Sequence, residues 1–243
     1  HQPFRALKLG YPTKVEGSST LLLSACAPQA QHVKMIFPAR DNMPKVGMPE
    51  VEVHWYDGGM MPDRPEGFPQ GKELMGEGGG LCIFHGTKDT LICGCYGVNP
   101  WLLSGRKPNV PQTLRRVKDA MKGGHEQDWI RACKESAGSR VQTKSNFLEA
   151  GPFNEMVVMG VLATRLSGLQ GLHRELMWDG ENMKFTNISP SDKIKLVTVD
   201  EYKVIDGDPR FDRRFAEFNA LDMANEWIKH TYQNGFSLPD MPR

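Results

Sequence analysis

The stretch Val51-Glu52-Val53-His54-Trp55-Tyr56-Asp57-Gly58-Gly59 is the most regular strand signal in the chain. Its alternating side chains are typical of a β-strand, and the aspartate and paired glycines that follow indicate a turn at its end. The next segment, Met60–Gly80, holds many proline and glycine residues and predicts a long loop or flap.

Further strands are expected on both sides of this segment. Val15–Ser24 and Val33–Phe37 precede it and are rich in residues that favour strands. Leu81–His85 and Thr90–Tyr96 follow the loop and are joined by a short turn containing glycine, which predicts a hairpin.

Helical patterns begin only in the second half of the chain. His125–Lys134 and Pro152–Gly168 predict two helices, and the second is apolar almost all round, as expected of a helix that is sandwiched or lies at an interface. Glu175–Trp178 is one more strand candidate, Ile194–Asp208 is difficult to assign, and Asn219–His230 predicts a last helix. This order predicts an α+β fold, in which an open, mostly antiparallel β-sheet is covered by helices.

Composition excludes several classes of protein. The 243 residues are 39% hydrophobic and have a formal net charge of +1, which argues against a dedicated binder of nucleic acid or of membrane surfaces. No apolar run approaches the roughly 18 residues of a membrane span. The five cysteines match no zinc-binding spacing; Cys93 and Cys95 are expected to share one face of a strand, and buried thiols are the simplest interpretation.

Phosphate-binding motifs are missing from the sequence. A dinucleotide-binding turn requires a strand before it and a helix after it. The only candidate for such a turn, Gly76–Gly80, has neither. Phe4–Gly10 reads as the last turns of a helix that stops at the glycine, so we expect the chain to be a piece of a longer protein.

Six segments together resemble one family of enzymes. They are Ala6–Glu16, His54–Gly59, Cys93–Gly97, Gly124–Cys133, Ser145–Pro152 and Trp178–Asn187. The family they resemble is that of the Gfo/Idh/MocA oxidoreductases, and most closely the branch that is abundant in Bacteroidetes. The resemblance covers most of residues 4 to 188, whereas residues 189–221 fit poorly and are expected to be an insertion.

The resemblance implies a two-domain enzyme that transfers hydride between NAD or NADP and a hydroxyl-bearing carbon of a sugar or cyclitol. Residues 1–243 would form its single C-terminal domain, which binds substrate and builds a homo-oligomer through the sheet. The Rossmann domain, its cofactor and the catalytic residues would lie upstream. No catalytic, cofactor-binding or metal-binding residue is therefore assigned here, and the location, cytoplasmic or periplasmic, stays open.

Three neighbouring residues are candidates for substrate binding. Trp55, Tyr56 and Asp57 combine aromatic faces with a polar group beside a flexible loop, which is the mixture that sugars require. The alternative is that Trp55 or Tyr56 packs within the sheet.

A second set of candidates lies near the helices. His125 and Asp128 stand three residues apart on one predicted helix and could orient a substrate hydroxyl, or they could stabilise the helix start. Asn146 could contact substrate or form a turn.

Two other functions stay open at this point. The chain could be a carbohydrate-binding or scaffold module without catalysis, or it could belong to a glycosidase that uses NAD. For the substrate-side domain, a sugar-like small molecule is the expected ligand.

Overall fold

The structure is a computed structural model that describes residues 1–23, 26–40, 49–74, 79–107, 110, 118–119, 122–170, 175–229, 232 and 234–237. The helices in chain order are α1 Gln2–Ala6, α2 Gly124–Lys134, α3 Phe147–Arg165, α4 Ser167–Gln170 and α5 Ala220–Ile228. The strands are β1 Lys14–Ser19, β2 Gln31–Phe37, β3 Val51–Asp57, β4 Leu81–His85, β5 Thr90–Gly94, β6 Trp101–Leu102, β7 Leu176–Asp179, β8 Lys184–Phe185, β9 Lys193–Ile205 and β10 Asp208–Asn219.

The chain divides into two compact units. The first comprises His1–Gly10 and Asp63–Asn154, and the second comprises Tyr11–Pro62 and Glu155–Arg243. The boundary at Asn154 falls inside α3. The expectation of a single domain stays a prediction.

The second unit is built on a five-stranded sheet in the order β3-β2-β1-β7-β8, and its named strands pair antiparallel. The strand that the sequence indicated most clearly, β3, lies at one edge. Helix α3 approaches one face so closely that a Cβ on Gly17 of β1 would lie 2.7 Å from the Thr164 backbone nitrogen. Val15, Phe37 and Leu176 are buried, since alternate residues of the strands point toward this covered face.

The opposite face of this sheet is polar, and we call it the open face. Lys34 of β2 lies 3.8 Å from a Glu52 carboxylate oxygen and 3.7 Å from one of Glu175. Lys14 pairs with the same Glu175 at 3.5 Å. The two faces therefore differ in chemistry, as expected of an antiparallel sheet with one face covered.

The first unit contains the three-stranded sheet β4-β5-β6 and helices α1 and α2. Hairpin β4–β5 confirms the predicted pairing, with Cys82 directly opposite Cys93. Cys95 lies outside the strand, because the chain turns at Cys95–Gly97 with Tyr96 at a φ of 62°. The expectation that Cys93 and Cys95 share a strand face is thus wrong.

Strands β9 and β10 form a separate two-stranded sheet, which we call the ribbon. It occupies the segment that was difficult to assign and that fits the family pattern poorly. Its strands pair antiparallel, and the register shifts between Arg214 and Phe215. That shift disturbs the alternation on which a sequence-based assignment depends.

Helix α3 begins five residues before the predicted start at Pro152. Asn146 caps it, since its side-chain oxygen accepts from the Glu149 backbone N–H at 3.2 Å. Pro152 lies in the second turn, where its missing N–H leaves only the Leu148 carbonyl without an intrahelical donor.

Helix α1 also differs from expectation at its end. It stops at Ala6 rather than running to Gly10, and Lys8, with a φ of 47°, takes the left-handed conformation that was expected of the glycine. The glycine-rich stretch Gly76–Gly80 lies mostly outside the described residues. The predicted α+β class with mostly antiparallel sheets is confirmed.

Candidate functional site

An exposed tryptophan marks the end of β3. The Trp55 side chain is 60% exposed, although it projects from the face of the sheet that α3 covers. Its indole Nε1 donates a hydrogen bond to Asp57 Oδ2 at 2.9 Å. The ring is thereby held in one orientation while much of its surface faces solvent.

Asp57 is itself held by the neighbouring strand. Its Oδ1 accepts from the Gln31 backbone N–H at 3.2 Å, and its Oδ2 accepts from Gln31 Nε2 at 2.9 Å. The hydroxyl of Thr164, a buried residue of α3, lies 2.9 Å from Gln31 Oε1 and 3.0 Å from the Gly160 carbonyl oxygen, and its one proton is shared between these two acceptors. A chain of hydrogen bonds thus connects the exposed indole to the helix that covers this face of the sheet. We call Trp55, Asp57, Gln31 and Thr164 the indole platform.

The turn after β3 allows this arrangement. Gly58 has a φ of 69°, and a Cβ there would lie 2.2 Å from the Gln29 carbonyl oxygen and 2.4 Å from Ala30 Cα. Only glycine fits so close to the neighbouring backbone. The glycine pair therefore ends the strand directly after Asp57, as the sequence indicated.

Tyr56 points to the opposite face of the sheet from Trp55 and Asp57. On the open face its ring stacks on His32, with centroids 4.5 Å apart. The predicted trio is therefore divided between two faces, because successive side chains of a strand alternate.

Beside Tyr56 lies a relay of titratable side chains. His32 Nε2 is 2.8 Å from His54 Nδ1, and His54 Nε2 bonds to Glu52 Oε1. Burial and the neighbouring His54 lower the pKa of His32, and the hydrogen bond from His54 lowers the pKa of Glu52. The three groups can pass a proton along the open face.

His125 and Asp128 have different surroundings although they share α2. His125 is exposed, whereas Asp128 is buried and binds Arg131 at 3.2 Å. Asp128 Oδ2 also accepts from the Lys144 backbone N–H at 3.0 Å. Asp128 thus fixes the loop that leads from α2 to α3.

Asn146 lies at the end of that loop. Besides capping α3, its amide Nδ2 donates to the Thr143 carbonyl at 2.9 Å. Both ends of its side chain thus bind backbone, which is the turn-forming role that the sequence left open. The six predicted residues divide between the units: Trp55, Tyr56 and Asp57 lie in the second, and His125, Asp128 and Asn146 in the first.

Several residues of these arrangements were not predicted. Gln31 and Thr164 gave no signal, since they meet Asp57 and each other only across the sheet and the helix. Glu52 and His54 could have been found, because their alternation with Tyr56 places all three on one face.

The other tryptophans separate into two groups. Trp129 is 64% exposed, and its Nε1 donates no hydrogen bond to any of the described residues. The remaining three are engaged by neighbours: Trp101 by Lys72, whose Nζ lies 3.9 Å from the ring centroid, Trp178 by Glu155, and Trp227 by Arg165. Trp55 is thus the exposed indole that is also held in place.

The first unit contains a cavity of about 180 Å³ whose lining includes Phe68, Lys72, Glu73 and Trp101. It combines an aromatic ring with polar groups, as sugar sites do. However, the Lys72 ammonium already covers the Trp101 face on which a sugar ring would stack. Trp55 offers the more accessible surface.

Comparison with models of known protein families and with curated proteins found no match. In the part of the chain that the structure describes, no helix is both long and apolar enough to cross a membrane. Within the same part, no group of three or more His, Cys, Asp or Glu side chains is arranged to hold a metal ion.

Proposed function

We propose that this chain is the substrate-side domain of an NAD(P)-dependent oxidoreductase of the Gfo/Idh/MocA type, and that it binds a sugar or cyclitol through Trp55. The parent enzyme would supply NAD or NADP and the catalytic residues from a Rossmann domain. The single observation that supports this most is the exposed indole of Trp55, held by Asp57 at 2.9 Å.

A fixed aromatic face suits a sugar for two reasons. The C–H groups of a pyranose or cyclitol pack on an aromatic ring, whereas their hydroxyls need polar partners at the rim. Because the Asp57 bond already fixes the indole, little side-chain entropy is lost when a ligand binds. The carboxylate beside the ring edge supplies an acceptor for a hydroxyl.

The segments that resemble the family support a relationship at the level of the fold. Asp57, Asp128 and Asn146, each from a different segment, bind backbone groups that shape turns or loops. Asp179 does the same, since its carboxylate accepts from the backbone N–H of Asn182 at 3.1 Å. Such residues preserve a backbone path, so they bear on the fold more than on the choice of substrate.

The homo-oligomer that the resemblance implies stays a prediction. The open face of the five-stranded sheet bears the ion pairs of Lys34 with Glu52 and Glu175. A contact through this face would have to retain or replace those pairs.

The experiment that tests the proposal is a titration of the chain with myo-inositol, D-glucose and D-galactose, followed by isothermal calorimetry. We expect at least one of them to bind, and Trp55→Ala to weaken that binding by about tenfold or more, since aromatic anchors dominate such sites. Trp129→Ala is the matched control, because that indole is equally exposed but not held, and it should bind as the wild type does.

Two results would contradict the proposal. One is equal binding by Trp55→Ala and Trp129→Ala, with both variants folded by circular dichroism. The other is micromolar binding of NAD or NADP by this chain alone, which would show that it holds its own dinucleotide site.

The same indole would also serve a carbohydrate-binding module without catalysis. The coding sequence upstream of His1 separates the two functions. A Gly-x-Gly-x-x-Gly turn between a strand and a helix there favours the oxidoreductase, and a native start codon at this position favours the module.

A further inference from the structure

The ribbon β9–β10 is long, and most of its side chains are exposed. Its strands pair over twelve residues of β10, or about 40 Å at the usual rise of an antiparallel strand. Asp206 and Gly207 connect them with φ angles of 53° and 84°, as in the two-residue turns that join the strands of a β-hairpin.

Among the described residues, the contacts that anchor the ribbon lie at its base. Ile194 and Val197 are buried, and a Cβ on Gly168 of α4 would lie 3.2 Å from Ile194 Cγ1. Beyond the register shift, residues 199–214 include no buried side chain. A two-stranded sheet that stands alone is marginally stable in water, so this outer part needs a further contact.

One face of the outer ribbon is occupied by ion pairs. Lys203 Nζ lies 2.9 Å from Asp212 Oδ2 and 2.7 Å from Glu201 Oε2. Arg214 binds the same Asp212 at 2.5 Å. The hydrogen bonds from Arg214 and Lys203 hold the pKa of Asp212 far below its ordinary value, so these side chains form one charged network.

The other face is exposed and carries the aromatic side chains of the outer ribbon, and we call it the aromatic face. Tyr202 and Phe211 lie opposite each other with ring centroids 5.5 Å apart, and Val204 extends the same face. Phe215 lies at its inner end, where Lys195 Nζ is 4.9 Å from the ring centroid. The exposed fractions are 64% for Tyr202, 67% for Val204, 69% for Phe211 and 50% for Phe215. An exposed apolar patch rimmed by charges is typical of an interaction site.

We propose that the aromatic face binds the same face of a second copy of this chain, so that two ribbons pack about a two-fold axis. A self-complementary patch is what a symmetric dimer requires, since each copy presents the same surface. The outer ribbons then form a two-layer structure in which each aromatic face is covered.

Charge favours a second copy over nucleic acid or an anionic membrane. Residues 193–219 contain six Lys and Arg and six Asp and Glu, so the ribbon has no net charge that would attract nucleic acid or an anionic membrane. Asp200 and Arg213 pair at 3.0 Å on the aromatic face itself. In a symmetric dimer this pair can also face Arg213 of the partner subunit and Asp200 of the partner subunit, so the charges of this face are self-complementary.

This inference does not rest on the proposed function, because Trp55 lies outside the ribbon. Sedimentation equilibrium of the full chain from about 1 to 100 µM tests it. We expect a dimer, and Phe211→Glu should raise its dissociation constant by about tenfold or more, since the change places a charge in a desolvated contact.

Ile205→Glu is the matched control, since Ile205 lies on the ion-paired face of the same ribbon and receives the same charge. It should dimerise as the wild type does. Tyr202→Lys changes the aromatic face with the opposite charge and should dissociate the dimer as Phe211→Glu does.

Three results would overturn the inference: a monomeric wild type at 100 µM, equal weakening by Ile205→Glu and Phe211→Glu, or a dimer that neither Phe211→Glu nor Tyr202→Lys weakens. Binding of the monomeric wild type to vesicles of zwitterionic lipid would assign the aromatic face to a membrane surface instead.

Discussion

At the scale of single residues, the open face of the sheet holds side chains that respond to pH. His32 faces His54, Tyr56, Lys34, Glu16 and Glu52. Its pKa is lowered from 6.5, chiefly by burial, and that of Glu52 is lowered from 4.5 by its bond to His54. Both groups bind protons less readily in the folded chain than in the unfolded chain, so acid favours unfolding.

The resulting prediction concerns stability between pH 7.5 and 5.5. His32→Gln removes the titrating group and keeps a side chain that can form hydrogen bonds. As the pH falls through about 6.5, the ordinary pKa of histidine, the variant should therefore lose less free energy of unfolding than the wild type. Urea unfolding at several pH values measures this. His125→Gln, which changes an exposed imidazole of α2, is the control and should keep the wild-type dependence.

The contribution of Glu52 to the pH dependence of stability would appear at lower pH, below 4.5, the ordinary pKa of a glutamate. Half of the Glu52 side chain is exposed, so solvent screening keeps this contribution small. A His32→Gln variant with an unchanged slope between pH 7.5 and 5.5 would contradict the assignment to His32.

At the scale of elements, the close approach of α3 to the sheet depends on one glycine. A Cβ at Gly17 of β1 would lie 2.7 Å from the Thr164 nitrogen and 2.8 Å from the Ala163 carbonyl carbon. Both are backbone atoms of the helix, so they cannot move aside as a flexible side chain would.

Gly17→Ala should therefore lower the free energy of unfolding by about 1 to 3 kcal/mol, the usual cost of overpacking. Gly138→Ala is the matched control, because nothing lies within 4 Å of a Cβ there, and its effect should stay within about 0.5 kcal/mol. Urea unfolding of both variants measures the difference. The close approach would be refuted if Gly17→Ala were as stable as the control variant.

The helices and strands also show which features of the fold can be predicted from local sequence patterns. Strand β3 was predicted to within one residue, because alternation and the glycine pair both act locally. The start of α3 was misplaced, since Pro152 suggested a first turn while Asn146 provides the actual cap. Ribbon β9–β10 escaped prediction because its register shift interrupts the alternation.

At the scale of the whole molecule, the inferred dimer makes the rate of amide exchange in the ribbon depend on protein concentration. If the aromatic faces pack together, backbone amides of residues 199–214 exchange with solvent more slowly at concentrations above the dissociation constant than below it. Hydrogen exchange with mass spectrometry measures this. Amides of β1, in the five-stranded sheet, serve as the reference and should exchange at the same rate at both concentrations.

Phe211→Glu should abolish this dependence. Ribbon amides that exchange equally fast at all concentrations in the wild type would mean that the ribbon stands alone in solution.

The candidate site was predicted in part. Trp55, Tyr56 and Asp57 were identified from composition at a strand end, but which of them act together depends on the faces of the sheet. Trp55 and Asp57 share one face and Tyr56 stacks on His32 across the other. His125 and Asp128 share a helix, yet one is exposed and the other is buried against the loop before α3.

The sequence by itself determined the α+β class and its antiparallel hairpins, because the period of side-chain alternation and the glycine turns are properties of neighbouring residues. Only the tertiary structure decided that Asp57, the partner of Trp55, is itself held, since Asp57 accepts from Gln31, 26 residues earlier in the chain, and Gln31 contacts Thr164, 133 residues further along. Hydrogen bonds between such distant residues form only once the sheet and helix have packed, and no local periodicity encodes them.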